Sequence, residues 1–230
     1  MKAIIRLFTL TAVACAVLSC VQKASVIQVD TPKRPAGQTD MVGFAAPAIE
    51  KVHIGFVGLG MRGPDAVNRI SYIEGVEITA LCDIEQVRVE KTNAMVESLG
   101  RPKAAEYYGS TEAWKELCER DDIDLVYIAT DWKNHARIAN YAMEHGKHAA
   151  IEVPSAMSME EIWMLINTSE RTRKHCMQLE NCAYDFFELT TLNMAQKGLF
   201  GEILHAEGAY IHNLEPYWEE YHDDWRLQYN

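Results

Sequence analysis

Apolar residues along this chain follow two alternating patterns. Short runs such as His53-Ile54-Gly55-Phe56-Val57 and Val76-Glu77-Ile78-Thr79-Ala80-Leu81-Cys82 are separated by longer segments with apolar positions every three or four residues. The runs predict buried strands near 53–58, 76–82, 123–129, 148–152 and 176–180, and the segments predict helices near 62–73, 85–99, 111–119, 134–145 and 158–173. Ile123-Asp124-Leu125-Val126-Tyr127-Ile128-Ala129 is mostly apolar on both faces, as a central parallel strand should be. Ser158-Met159-Glu160-Glu161 offers a capping box to the helix that follows. Such alternation with short links builds a parallel sheet covered on both faces, with right-handed crossovers. After Asn181 the character changes. Tyr184 to Lys197 predicts a helix stopped by Gly198. Glu202 to His212 predicts one strand of a new sheet, and Glu215 to Arg226 is aromatic and acidic.

Chemistry enters at the first turn. Gly58-Leu59-Gly60-Met61-Arg62-Gly63 joins the first strand to the first helix, and Asp83 closes the second strand twenty residues past Gly63. Strand, glycine turn, helix, strand and acid in that order hold a dinucleotide. Gly58 allows the tight turn, Gly60 lets the backbone approach a pyrophosphate, and Gly63 lets the helix pack on the strand. The helix N-terminus turns its positive dipole end to the phosphates, and Asp83 is placed to accept from a ribose. The fold class is therefore α/β: a Rossmann-type doubly wound parallel sheet, followed by the start of an α+β substrate domain. The cofactor is expected to be NAD.

The ends of the chain change this picture. Lys2 and Arg6 precede a short apolar core from Leu7 to Leu18, and Val17-Leu18-Ser19-Cys20 resembles a bacterial lipobox. The stretch is too short for a membrane span. Residues 1–20 are thus expected to be a signal peptide, and 21–48, rich in Pro, Gly and Ala, a flexible tether. The expected location is periplasmic or membrane-tethered, through a lipid at Cys20; cleavage without lipid, or lipidation at Cys15, are the alternatives. The NAD-binding domain is assigned to 49–182 and the beginning of an incomplete substrate domain to 183–230. The formal charge of −11 argues against nucleic acid as a partner. Cys82, Cys118, Cys176 and Cys182 lack metal-ligand spacing and are expected to be free, mostly buried thiols. No metal site is expected, because His205 and His212 would fall on opposite faces of one strand.

Two further loops carry candidates. Trp132, Lys133, Asn134 and His135 follow the strand at 123–129, and Glu152-Val153-Pro154 ends the strand at 148–152, where a cis Pro154 would suit the turn. Ligands of open parallel sheets bind beyond such carboxyl ends. With the glycine turn, Glu180-Asn181-Cys182-Ala183-Tyr184 and Glu207-Gly208-Ala209-Tyr210-Ile211-His212, these segments resemble the Gfo/Idh/MocA oxidoreductase superfamily and, within it, glycoside hydrolase family 109. Dehydrogenases of that superfamily usually carry lysine where Val153 stands, so the likeness is to the glycosidase branch. The resemblance implies transient oxidation at C3 of a sugar by NAD, elimination of the aglycone, hydration and return of the hydride, with an α-N-acetylgalactosaminide as the expected substrate. It also implies NAD contacts from Met61, Arg62, Asp83, Trp132, Lys133, Asn134, His135, Glu152, Val153 and Asn181, and sugar contacts from Tyr210 and Arg226. The family's catalytic Tyr and His are expected beyond Asn230, so this chain alone is expected to be inactive. Alternatives are a sugar oxidoreductase with net hydride transfer and a non-catalytic NAD- or sugar-binding relative. A homo-oligomer is compatible with the pattern.

Overall fold

A computed structural model describes residues 31–209, 211–213 and 215–217. The chain divides into two units, Met1–Arg34 and Pro35–Asn230, and the elements below belong to the second. Six strands form one all-parallel sheet: β1 (Val52–Val57), β2 (Val76–Cys82), β3 (Ala105–Tyr107), β4 (Leu125–Ile128), β5 (His148–Glu152) and β6 (Cys176–Leu179). Their spatial order is β3-β2-β1-β4-β5-β6, the doubly wound arrangement expected from the alternation. The helices are α1 (Gly63–Ile70), α2 (Gln86–Ser98), α3 (Trp114–Cys118), α4 (Trp132–Glu144), α5 (Met159–Thr172) and α6 (Phe186–Gln196).

Alternate residues of each strand feed two cores. Ile54 and Phe56 pack with Val67 of α1 and Val89 and Val96 of α2 on one face. Val57, Val126 and Ile128 pack with Leu117, Ile138 and Met143 of α3 and α4 on the other. Gly55 belongs to the second face. A Cβ there would lie 2.6 Å from Leu117 Cδ2, so the missing side chain is the space that Leu117 occupies.

The structure adds elements that the pattern did not predict. β3 has three residues, too few to show an alternation, and it is recruited at the sheet edge by pairing with β2. α4 starts at Trp132, so residues 132–135 are the first helical turn and not a loop. The capping box forms: the Glu161 N–H donates to Ser158 Oγ at 3.2 Å, and the Glu161 carboxylate accepts from the Met157 N–H at 2.6 Å. Val153–Pro154 is cis. Gly198 ends α6 with φ +70°, its own N–H on the Ala195 carbonyl and the Leu199 N–H on the Met194 carbonyl, which is the Schellman pattern.

Three expectations change. The strand at 202–212 is absent among the described residues, which are exposed there; extended backbone needs a neighbour to satisfy its amides, and no described strand pairs with this stretch. His205 and His212 are exposed in this stretch, and no strand sets them on opposite faces. The tether is irregular where described, but its later part is pinned. Arg173, itself left-handed at φ 53°, donates to the Thr39 and Asp40 carbonyls at 3.0 Å and lies 4.3 Å over the Phe44 ring. Gln38 donates to the Asn167 carbonyl at 2.8 Å.

Of the thiols, Cys82 and Cys118 are buried and Cys176 is half-buried, but Cys182 is exposed. Burial pushes Cys82 and Cys118 up to about 12 and Cys176 up to about 11. The hydrogen bond with Asp185, ahead of charge effects, raises Cys182. Iodoacetamide at pH 8 should therefore label Cys182 first, with peptide mass spectrometry reading the order; earlier labelling of Cys82 or Cys118 would contradict this burial. Leu117→Ala should cost about 2–5 kcal/mol of stability, read from the urea unfolding midpoint.

Candidate functional site

β1 and β4 are neighbours, but the helices that follow them pack on opposite faces of the sheet. Chains leaving two adjacent strands in opposite directions open a crevice at the carboxyl ends. The glycine turn forms one wall. Gly58 has φ +93°, and a Cβ on it would lie 2.5 Å from the Ala129 carbonyl carbon and oxygen. The turn and the loop after β4 therefore meet backbone to backbone. A Cβ on Gly63 would lie 2.0 Å from the Gly58 oxygen, so α1 begins directly against the turn.

Gly60 is different. The only atom near a Cβ built there is Arg88 Nη1, at 3.6 Å, and the residue is exposed, as are Met61 and Arg62 beside it. No side chain caps the N-terminus of α1, whose second residue is Pro64. An uncapped helix start next to a side-chain-free stretch of backbone suits a pyrophosphate. The residues present thus fit the phosphates of a dinucleotide.

Asp83 ties this wall to β2 and is nearly buried. Its Oδ2 accepts from the Leu59 N–H at 2.7 Å, and its Oδ1 accepts from the Glu85 N–H at 2.9 Å. A carboxylate offers about four acceptor positions, so these two amides do not exhaust its capacity. Arg88 comes within 3.6 Å of Oδ1 and pairs with Glu85 at 2.9 Å. Arg88 went unnoticed in the sequence because a basic residue on an exposed helix face carries no local signal.

The opposite wall comes from α4 and the end of β5. Trp132 and Asn134 are half-buried in the first turn of α4, with the Asn134 amide donating to Asp131. Lys133 is two-thirds exposed and 3.8 Å from Asp131. His135 is placed otherwise than expected. It is 1% exposed, with Nδ1 2.7 Å from the Pro154 carbonyl and Nε2 3.0 Å from the Thr130 carbonyl. The ring thus bridges the loop after β4 to the turn after β5.

Glu152 is half-buried at the end of β5, and its Oε1 accepts from the Tyr127 hydroxyl at 2.6 Å. Val153 beside it is 40% exposed, so no titratable group occupies that position. Asn181 is exposed just past β6. Tyr210 and Arg226, the expected sugar contacts, lie outside the described residues. Tyr127 was missed because one aromatic in an apolar strand looks like core.

Known proteins resemble this chain in sequence and in fold. Residues 52–179 match the family described as "Oxidoreductase family, NAD-binding Rossmann fold". The chain is 64% identical over 208 residues to Glycosyl hydrolase family 109 protein 1 of Bacteroides thetaiotaomicron, covering 90% of this chain and 44% of that protein. It is 66% identical over 204 residues to a Glycosyl hydrolase family 109 protein of Porphyromonas gingivalis, covering 89% and 44%. The chain thus spans less than half the length of these relatives. Among solved structures, an NAD-binding protein from Listeria innocua superposes with a TM-score of 0.54 at 26% identity, covering 67% of this chain and 43% of that one. A scyllo-inositol dehydrogenase from Lactobacillus casei with bound NAD(H) and scyllo-inositol shares the fold, with a TM-score of 0.58 at 20% identity, covering 66% and 43%.

The contrast between the glycines is testable. Gly63→Ala, which drives a Cβ into backbone, should cost at least about 1–3 kcal/mol of stability. Gly60→Ala should leave the melt unchanged but weaken NAD+ roughly tenfold or more by calorimetry, equivalent to about 1.4 kcal/mol.

Proposed function

This chain belongs to the oxidoreductase family with the NAD-binding Rossmann fold, and we propose that it is the cofactor-holding part of a glycosidase. The proposed reaction is transient oxidation at C3, elimination of the aglycone and hydration, on α-N-acetylgalactosaminides. The observation that carries the reading is Val153. It stands exposed just past the end of β5, next to Glu152, at the position where dehydrogenases of the superfamily usually carry a proton-transferring lysine. Relatives at 64% and 66% identity named for a glycoside hydrolase family support the same choice.

NAD+ bound here would supply a hydride acceptor that the reaction itself restores. The chain's own residues do the holding. Gly60 leaves room for the pyrophosphate, Gly58 and Gly63 let the turn and the start of α1 close up beside it, Asp83 receives ribose hydroxyls, and Glu152 faces the nicotinamide half. Sugar recognition belongs to Tyr210, Arg226 and the further length that the relatives possess. Exposed apolar residues of α6, among them Phe186 and Phe187, each at least three-quarters exposed, offer that part a surface to pack on. Export through a signal at residues 1–20, with a lipid at Cys20, fits this chemistry: an enzyme that regenerates its cofactor needs one retained molecule and not a supply.

The full-length protein should release the aglycone from an aryl α-N-acetylgalactosaminide with no net change in absorbance at about 340 nm, where NADH absorbs. Stoichiometric NADH from free sugar would instead make it a sugar oxidoreductase. Neither signal, with NAD+ bound, would leave a binding protein.

A further inference from the structure

We propose that Tyr127 is a positioning residue for the nicotinamide half of the cofactor, acting through Glu152; this rests on the placement of that half beside Glu152. Tyr127 lies in the middle of β4, facing the α1–α2 side of the sheet, and its register partner on β5 is Ala150. A methyl group there leaves the phenol free to pass over β5. The hydroxyl reaches two residues further along, to the Glu152 carboxylate, and donates to Oε1 at 2.6 Å. The ring itself is held: it is 6% exposed and stacked on Phe56 at 5.1 Å between centroids.

The arrangement divides the carboxylate in two. Among the described residues the phenol is its one hydrogen-bond donor, so Oε1 is fixed while Oε2 keeps its acceptor capacity. A glutamate at a strand end otherwise samples several rotamers, and ordering it on ligand binding opposes affinity. A buried phenol that is already in place removes that cost before the ligand arrives. Burial first, and the bond to Glu152 second, raise the Tyr127 phenol well above its ordinary range. It therefore remains a donor at working pH and is no candidate for a base.

The test compares NAD+ with ADP, which fills the glycine turn and the Asp83 side but has nothing to place beside Glu152. Calorimetry on the wild type, Tyr127→Phe, Glu152→Ala and the double variant reads both ligands. Tyr127→Phe keeps the ring and its stacking, and should weaken NAD+ about 3- to 10-fold, within the net worth of one hydrogen bond. ADP affinity should stay within about twofold. Glu152→Ala should weaken NAD+ at least as much, and the double variant should be no worse than Glu152→Ala alone, since the two residues act as a unit. Equal loss of NAD+ and ADP in Tyr127→Phe would mark a merely structural role and overturn the proposal. So would unchanged NAD+ affinity, or full additivity with Glu152→Ala. If Glu152→Ala itself leaves NAD+ binding untouched, the placement of the nicotinamide half fails and the proposal falls with it. If only Tyr127→Phe is silent, the placement stands and the proposal alone falls.

Discussion

Gly58 and Ala129 touch backbone to backbone at the point where β1 and β4 release their chains to opposite faces, and the crevice depends on that contact. A side chain on Gly58 would sit 2.5 Å from the Ala129 carbonyl, so the two walls could not approach as they do. Gly63 repeats the constraint one turn later by admitting the Gly58 oxygen. Between them Gly60 has no such neighbour, because the open side is where a ligand must come. Three glycines with one motif therefore serve two purposes: two allow the protein to pack on itself, and one leaves space.

Asp83 and His135 extend this contact sideways. Asp83 grips the Leu59 amide at 2.7 Å, which couples the turn to the end of β2 while leaving acceptor positions for sugar hydroxyls. His135 links the two loops of the other wall through their carbonyls. Both are buried polar groups with partners, and a buried polar group lacking a partner would cost more than its bond is worth. The site is in this sense over-determined by backbone, and the side chains that remain available, Met61, Arg62, Lys133 and Val153, are at its rim.

The sheet and the C-terminal stretch contrast physically. In the sheet, every central strand has neighbours on both sides and a helix layer on each face. Beyond β6, α6 forms with a proper Schellman stop and yet buries none of its residues. A helix satisfies its own amides internally, so it can exist without a partner layer. A strand cannot, and none forms among the described residues from 202 to 213. The relatives are about twice as long as this chain.

Most of the fold was legible in the sequence, because local signals and tertiary structure agree there. Apolar runs marked five of the six strands, and the glycine spacing marked the turn. The Ser158 cap and the Gly198 stop were correct because each depends on a few adjacent residues. β3 was invisible, since three residues carry no period. The first turn of α4 was mistaken for a loop, since Trp, Lys, Asn and His have no shared preference that marks a helix start.

What the sequence determined by itself was the type of crevice and the kind of ligand, through the residues that must be small or acidic at fixed spacing. Which side chains face the ligand was decided by the tertiary structure. His135, expected among the site residues, is buried between the Thr130 and Pro154 carbonyls, and Tyr127, in an apolar strand, reaches the Glu152 carboxylate with its hydroxyl. Burial and register are set by packing between strands that are distant along the chain. No local pattern could state that Ala150 lies opposite Tyr127, and that pairing is what lets a core residue hold Glu152.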